Sequence, residues 1–530
     1  MSTSDKSSAG LAGSAATVSF AVMCSRLLGL IREQVFAGLF GAGYAYDAFV
    51  VAFRIPNLLR DLFGEGALSA AFVSVFSDYD ANRSREQTWL LASNVLCFFL
   101  VAVSAITLLG MLFANQIVAI LAPRFGAITG KAELTAAMTV IMMPFLLFIS
   151  LAAVVMGILN TKGRFFIPSL ASSFFNLGSI IGGTSLAFIL PRFGHPAIVG
   201  MAFGTLIGGF LQLAVQLPVL RQVGFRFTPS LNISDPGLKR VLKLMVPATI
   251  GLSATQINIF INTNFASSCA EGSVSWLNYA FRLVQLPIGL FGVAISIAAL
   301  PLLARQASTN NLGDMRETFV SSLTMVFCLT IPATAGLLVL SVPIIRVIFE
   351  HGAFTAADTS ATAVALSLYG IGLFAYSANK VIVPVYYAIN ATRYPVIASF
   401  LAIGFNVLII VNTIDHFQHR AIALSTSAVM ILNFLFLVVV LYRKIGGFSI
   451  AQLFSGLIRI LGATAVMTVL LLIFYRLLAE QFQQTIVHQL SALLVLIGAA
   501  AAVYLVVLNF LGLQELREIS GKIKNRLSGS

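Results

Sequence analysis

Charged side chains are scarce in this sequence. Only 10% of the 530 residues are Asp, Glu, Lys or Arg, whereas 58% are hydrophobic. Soluble domains carry about 25% charged residues, so this scarcity excludes a mainly soluble protein. We therefore expect an all-α polytopic membrane protein with little room for a soluble domain.

Signals for metal, redox and nucleotide chemistry are also lacking. The chain has four cysteines, none at the spacing of a metal or redox motif. It has no Walker A sequence, so we do not expect nucleotide hydrolysis to supply energy. The polar start of the chain lacks an early basic region followed by a short apolar core, so we expect no cleavable signal peptide.

Long apolar segments are what the sequence has in abundance. We interpret about fourteen of them as membrane-spanning helices, since about 20 apolar residues cross a bilayer. Their approximate bounds are 11–40, 44–77, 88–121, 133–160, 165–190, 196–220, 239–268, 275–304, 317–348, 359–389, 394–414, 420–442, 451–478 and 487–512.

The positive charge follows the loops between these segments. The net charge is +13, and most basic residues fall in alternate loops, such as the one that joins segments six and seven, and in the tail. The positive-inside rule places those loops and both termini in the cytoplasm. This pattern indicates membrane topology and not nucleic-acid binding. The tail, residues 513–530, is predicted to be a short surface helix beside anionic lipid.

One stretch, residues 25–69, concentrates charge within apolar surroundings. Each charge at a bilayer centre costs about 2.5–3.5 kcal/mol, so these side chains must reach the interface, pair, or line a wet cavity. The charged residues are Arg26, Arg32, Glu33, Asp47, Arg54, Arg60, Asp61 and Glu65.

Helix breakers within the stretch favour the cavity. Gly29 lies between the first two arginines and Pro56 between the last two, and both residues mark bends in membrane helices. Two bent helices joined by the turn 41–43 would converge their arginines on one chamber. A chamber with several guanidinium groups suits a pyrophosphate, because arginine offers phosphate oxygens a rigid bidentate fork. Anchoring at helix ends is the alternative for Arg32 and Arg60.

The same stretch resembles the MurJ (MviN) family, lipid II flippases of the MOP exporter superfamily. The matching runs are Ser25-Arg26-Leu27-Leu28-Gly29, Gly41-Ala42-Gly43, Asp47-Ala48-Phe49, Pro56-Asn57-Leu58-Leu59-Arg60, Glu65-Gly66-Ala67-Leu68-Ser69, Gly272-Ser273-Val274-Ser275-Trp276 and Tyr279-Ala280 with Arg282. The resemblance implies a transporter, not an enzyme. Its substrate would be the undecaprenyl-pyrophosphate-linked disaccharide-pentapeptide, flipped from the inner to the outer leaflet of the cytoplasmic membrane for cell wall synthesis.

The resemblance also implies which residues bind this substrate. Arg26, Arg32, Arg60 and Arg282 fall on the family's essential cavity arginines, and Asp47, Arg54 and Glu65 join them as candidate binding residues. No cofactor or metal is implied, and contact with the cell-wall synthesis machinery is left open. Two departures from the pattern, Asp61 after Arg60 and Phe281 before Arg282, leave the local charge pairing undecided.

An internal repeat divides the chain. Residues 52–54 and 62–64 recur at 280–282 and 290–292, at one offset. Each half holds an even number of spans, so the repeat is parallel. We expect an N-terminal lobe (1–222), a C-terminal lobe (223–445) and a helix pair with a cytoplasmic tail (446–530). The resemblance suggests that this pair forms a lipid-facing groove for the polyprenyl tail.

The repeat offset predicts pairs of equivalent residues. It makes Arg282 the counterpart of Arg54, and it places Gly43 opposite Glu271. Equivalent residues at one depth face each other across the pseudo-twofold axis, near which repeat transporters bind their substrates.

Other polar residues within spans are open to two interpretations. Lys380 lies four residues before Pro384, and a polar run extends from Gln256 through Asn258 and Asn262 to Asn264. The amides can coordinate a cation, but interhelical hydrogen bonds are the commoner role.

Two alternatives to the flippase are weaker. An exporter of another polyprenyl-linked saccharide, or of a drug, would belong to the same superfamily. A membrane enzyme would need paired carboxylates or a metal, for which Asp78 and Asp80 are the only candidates. Two solvated carboxylates at a helix end are the simpler interpretation of that pair.

Overall fold

The computed structural model of the protein describes residues 3–63 and 66–512. Within those ranges every regular element is helical, which confirms the predicted all-α class. Helices satisfy all their backbone groups internally, so they are the expected form for so apolar a chain in lipid. The chain divides into two compact units, Met1–Ser275 and Trp276–Ser530.

The first unit contains eleven helices in the part of it that the structure describes. They are α1 (Thr3–Phe40), α2 (Tyr44–Phe63), α3 (Ala67–Asn82), α4 (Arg85–Leu112), α5 (Ala114–Leu121), α6 (Lys131–Met142), α7 (Phe145–Thr161), α8 (Phe166–Ile189), α9 (Ile198–Ala214), α10 (Leu217–Gln222) and α11 (Pro236–Ser267).

The second unit begins within helix α12, since this helix starts at Ser273 and the units divide after Ser275. Its helices are α12 (Ser273–Pro287), α13 (Ala294–Ser308), α14 (Leu312–Val339), α15 (Ser341–Phe349), α16 (Ala356–Ile371), α17 (Leu373–Ala388), α18 (Arg393–Phe417), α19 (His419–Lys444), α20 (Ile450–Leu477) and α21 (Ile486–Phe510). A π-helical segment, Ile288–Val293, joins α12 to α13.

Most of the predicted spans are present. Among the described residues, 11 helices are long and apolar enough to cross a membrane, or up to 12 if α16 and α17, bent by 42°, form one span. The predicted count of about fourteen is therefore not confirmed. The two predicted segments that are not counted, 11–40 and 44–77, correspond to α1 and to α2 with α3, where the buried charges are concentrated.

The seventh predicted span packs with the first unit. The start of α11 buries Leu238 and Val241 in a cluster with Phe72 and Phe76 of α3 and Trp89 of α4. Because of this packing the compact units divide after Ser275 and not after residue 222. The lobe assignment from the repeat stays a prediction.

The last helix pair packs on the second unit. Ile460 of α20 and Tyr504 of α21 belong to the same buried cluster as Phe327 of α14. The Tyr504 hydroxyl donates a hydrogen bond of 2.7 Å to the carbonyl oxygen of Cys328. The pair is thus attached to the core through α14, and the predicted groove for a lipid tail stays a prediction.

Glycines bring α8 and α9 into backbone contact. A Cβ atom added at Gly204 would lie 2.5 Å from the Cα atom of Gly183, and one added at Gly208 would lie 2.4 Å from the carbonyl oxygen of Phe175. Small residues spaced four apart allow such close packing of membrane helices. The contact holds α8 against the rest of the first unit.

We predict that Gly204→Ala destabilises the protein by about 1–3 kcal/mol, the usual cost of overpacking. Gly404→Ala on α18 is the matched control, because a Cβ atom there meets nothing within 4 Å. The measurement is thermal unfolding of both purified variants in detergent. Equal midpoints for the two variants would contradict the close packing of α8 and α9.

Candidate substrate site and a buried carboxylate latch

The arginines of α1 lie in opposite environments. Arg26 is exposed and makes no ion pair with any residue that the structure describes. Arg32 is only 7% exposed. Its guanidinium group lies 5.4 Å from the ring centroid of Phe175 and 5.8 Å from that of Phe36.

The Arg32 charge is compensated by its chain neighbour. Arg32 Nη2 donates to Glu33 Oε1 at 2.8 Å, and the Tyr46 hydroxyl donates to Glu33 Oε2 at 2.6 Å. Glu33 is itself buried, so the three side chains form a buried polar cluster between α1 and α2. The sequence predicts that each charge in this stretch reaches the interface, pairs with an acid or lines a wet cavity, and Arg32 pairs with an acid.

The arginines of α2 are partly exposed. Arg60 donates from Nε and Nη2 to Asp61 Oδ1, at 3.1 and 2.8 Å. Asp61 Oδ2 accepts a hydrogen bond of 3.2 Å from Gln256 of α11. The departure Asp61 therefore pairs with Arg60 and also links α2 to α11. Arg54 is half-buried on the same helix.

Arg282 belongs to the second unit, where it is half-buried on α12. Its Nη1 atom lies 3.5 Å from Gln285 Oε1, one turn further along the helix. Near the start of the same helix, Trp276 Nε1 donates to Asp358 Oδ1 at 2.9 Å. Glu65, the last candidate, and the predicted tail helix lie outside the described residues.

Asp47 is buried and fully hydrogen-bonded. It is 2% exposed. Its Oδ1 atom accepts from the backbone N–H and the hydroxyl of Ser275, at 3.0 and 2.6 Å. Its Oδ2 atom accepts from the backbone N–H of Gly272 and from Lys131 Nζ, at 2.9 and 3.1 Å. We call Asp47, Lys131, Gly272 and Ser275 the carboxylate latch.

The latch joins three elements of the first unit. It fastens the first turn of α2 to the first residue of α6 and to the segment that opens α12. A carboxylate at a helix N-terminus is favourable, because it meets unpaired N–H groups and the positive end of the helix dipole. Asp47 thus caps the start of α12 from another helix.

A second contact lies beside the latch. The backbone N–H of Tyr44 donates to Glu271 Oε1 at 2.9 Å, and a Cβ atom added at Gly43 would lie 3.3 Å from the same oxygen. The predicted proximity of Gly43 and Glu271 is therefore confirmed. Asp47 and Ser275 are separated by 228 residues, which is the offset of the internal repeat. Residues one repeat apart thus meet at this end of α2.

Lys131 is the residue that sequence reasoning missed. It is 1% exposed, and its ammonium group lies 4.4 Å from the ring centroid of Phe125. The only sequence signal is a lysine at the start of an apolar segment. That signal is common to interfacial lysines, and it does not reveal an acid 84 residues earlier.

The paired carboxylates of the enzyme alternative are occupied by cations. Asp80 pairs with Lys162, and Asp78 accepts from Arg240 Nη1 at 2.5 Å. The hydrogen bonds from Arg240 and Asn82 hold the pKa of Asp78 below its usual range. No cluster of metal-ligating side chains occurs among the described residues.

The other polar residues within spans have mixed roles. Asn264 Nδ2 donates to the carbonyl oxygen of Ile120 at 2.8 Å, so this amide is an interhelical hydrogen bond. Asn258 and Asn262 also have interaction partners. The side chain of Lys380 is exposed, and its carbonyl oxygen accepts from the Ser296 hydroxyl at 2.6 Å.

Comparison with solved structures places this fold among membrane transporters. The chain matches a lipid II flippase MurJ in an inward closed conformation with a TM-score of 0.75, at 30% identity over 92% of this chain and 97% of that one. It also matches an inward-facing multidrug resistance MATE transporter of the MOP superfamily with a TM-score of 0.68, at 15% identity over 80% of this chain and 94% of that one. At that identity the second match shows the fold alone.

Sequence comparison narrows the class to a family. The family model for lipid II flippase MurJ matches residues 36–496. A probable lipid II flippase MurJ of Buchnera aphidicola is 33% identical over 94% of this chain and 96% of its own length. The Vibrio cholerae relative of the same description is 34% identical over 94% and 95%. The chain belongs to the MurJ family of lipid II flippases, as its motifs indicate. It is a multi-pass membrane transporter and not an enzyme.

We predict that Lys131→Met destabilises the protein by about 3–5 kcal/mol, because it leaves the buried Asp47 charge without its cation. Lys162→Met is the matched control. Its pair with Asp80 is 24% and 28% exposed, and such pairs contribute about 1 kcal/mol or less. Unfolding of the purified proteins in detergent measures both.

The double variant Asp47→Asn with Lys131→Met isolates the interaction energy between the two side chains from their interactions with other residues. Removing both charges should cost less than the sum of the single changes, since coupled residues are not additive. Strict additivity would show that Lys131 does not compensate Asp47.

Proposed function

We propose that this protein flips lipid II, the undecaprenyl-pyrophosphate-linked disaccharide-pentapeptide, across the cytoplasmic membrane for cell wall synthesis. The headgroup moves from the inner to the outer leaflet by alternating access while the polyprenyl tail stays in lipid. Membership of the MurJ family supports the substrate, and the placement of basic residues in alternate loops supports cytoplasmic termini. Contact with the cell-wall synthesis machinery is part of the same proposal.

The observation that supports the proposal best is the exposure and the ion pairing of the arginines on α1 and α2. Arg26 is exposed within an apolar helix, and Arg60 pairs with Asp61 while 26% of its own side chain remains exposed. Both guanidinium groups are therefore accessible to an incoming phosphate. Arginine suits this task because it stays charged and binds phosphate oxygens in pairs.

Arg32 has a different part in the proposed site. Its Nε atom is buried and has no hydrogen-bond partner among the described residues. Its Nη2 atom is held by Glu33, which is fixed in turn by Tyr46. We assign Arg32 a weaker contact with the substrate and a role in keeping the local charge balanced. Arg54 and Arg282, related by the repeat, complete the set of proposed ligands.

The carboxylate latch supplies the moving part of the mechanism. Alternating access requires α2 to separate from the segment that opens α12 at some point of the cycle. The hydrogen bonds from Gly272 and Ser275 to Asp47 must then break, whereas Lys131 can follow Asp47 and keep its charge paired. Water can replace the lost donors as the site opens.

We predict that Arg60→Ala and Arg282→Ala each abolish or strongly impair growth of cells depleted of their own lipid II flippase. Loss of one charge-assisted hydrogen bond costs about 1.5–3 kcal/mol, which is roughly a tenfold to hundredfold loss of binding. Arg476→Ala, an exposed cation at the end of α20, is the control. Protein levels in the membrane are measured alongside growth.

Transport by purified protein in vesicles tests the substrate itself. Wild-type protein should make labelled lipid II accessible to an external quencher, and Arg60→Ala should not. Full growth rescue by Arg282→Glu at normal abundance would contradict the proposed site. Transport of a drug or another lipid-linked saccharide, but not lipid II, would favour the exporter alternative.

We predict that Ser273→Cys reacts with a maleimide only while the latch is open. Ser273 is 0% exposed in this conformation, whereas Glu271 beside it is exposed. In a background without native cysteines, Glu271→Cys should react at all times. The Ser273→Cys protein should react faster during lipid II transport than at rest. An unchanged rate during verified transport would contradict opening at the latch.

A further inference from the structure

A cavity of about 400 Å³ lies within the second unit, and none of the proposed arginine ligands lines it. The first residues of α14 and α18 line it, together with the last residue of α19 and the residues that follow α17. The cations that line it are Arg393 and Lys444. The transport mechanism proposed above uses neither of them.

The two cations share one aromatic platform. Arg393 Nη2 donates to the Tyr394 hydroxyl at 2.9 Å, and its guanidinium group lies 4.8 Å from the Tyr394 ring centroid. Lys444 Nζ lies 5.6 Å from the same centroid. The Tyr394 ring packs on Tyr386, which is anchored by a hydrogen bond from its hydroxyl to the carbonyl oxygen of Leu437. The packing on Tyr386 therefore fixes the position of the Tyr394 ring.

No acid balances this charge. Neither Arg393 nor Lys444 forms an ion pair with a carboxylate in the described part of the chain, and no acidic residue lines the cavity. Lys444 ends α19, where a cation is favourable, but Arg393 begins α18, where a cation faces the positive end of the helix dipole. Helix α18 has no side-chain cap. An anion in the cavity would relieve the repulsion at Arg393, since anions are favourable at a helix N-terminus.

We propose that this cavity binds a phosphate group at the membrane boundary. Helices α18 and α19 are both apolar enough to cross a membrane, and the cavity lies where one begins and the other ends. The positive-inside pattern predicts that this end is cytoplasmic, where basic pockets between membrane helices take anionic lipid headgroups. The phosphate comes from an anionic phospholipid or from a soluble phosphate ester. The proposal does not depend on lipid II transport.

Native mass spectrometry of the delipidated full-length protein tests the proposal. The probes are dioleoylphosphatidylglycerol, dioleoylphosphatidylcholine and inorganic phosphate. We expect wild-type protein to bind phosphatidylglycerol roughly tenfold more tightly than phosphatidylcholine, and the double variant Arg393→Gln with Lys444→Gln to lose that preference. The matched control is Arg443→Gln with Arg305→Gln, two exposed cations outside the cavity lining.

The outcomes separate the two sources of phosphate. Preference for phosphatidylglycerol that inorganic phosphate does not abolish assigns the cavity to a lipid headgroup. Displacement by inorganic phosphate, with phosphate binding itself weakened in the double variant, assigns it to a soluble phosphate ester. Equal binding of the two lipids with no phosphate binding, or equal losses in the variant and its control, would overturn the proposal. Arg393→Glu, at an exposed position, gives a second variant should the double variant unfold.

Discussion

The cost of placing charge in an apolar environment governs the first unit. Each charge at the centre of a bilayer costs several kcal/mol, and Asp47 and Lys131 are both almost completely buried. They persist because they face each other at 3.1 Å and because three further donors reach the carboxylate. Arg32 with Glu33, and Arg60 with Asp61, follow the same rule at increasing exposure. These charged side chains also link helices, since Lys131 of α6 bonds to Asp47 of α2 and Gln256 of α11 bonds to Asp61 of α2.

How far the sequence predicts the structure depends on the range of the interaction. Apolar length predicted eleven of the segments among the described residues, or twelve if α16 and α17 form one span, because helix formation in lipid is decided locally. The repeat offset predicted the contact of Gly43 with Glu271, since equivalent residues obey one geometric relation. Lys131 was missed because its partner is remote and its own position at a helix start is ordinary. The lobe boundary at residue 222 stays a prediction, and the compact units divide after Ser275 because apolar contacts of α11 with α3 join α11 to the first unit.

In the candidate site, too, the sequence does not predict the environment of each side chain. The sequence predicts that each arginine must reach the interface, pair with an acid or line a wet cavity. It does not predict which of these three applies to a given arginine. Arg32 pairs with its neighbour and is covered by two rings, whereas Arg26, six residues earlier, stays exposed. Asp61, a departure from the family pattern, takes up the charge of Arg60. The relief that each arginine receives thus depends on its exposure and on its partners, and not on its motif alone.

A polar latch would have a physical advantage over an apolar one at a contact that opens in the proposed transport cycle. Replacing a buried ion pair by apolar residues often stabilises a protein, so the Asp47–Lys131 pair is not explained by stability alone. An apolar contact loses its whole burial energy when it opens to water. A carboxylate that loses the donors of Gly272 and Ser275 regains hydrogen bonds from water and keeps Lys131 as its cation. In the proposed cycle, this would keep the difference in free energy between the closed and open states small, as a transporter requires.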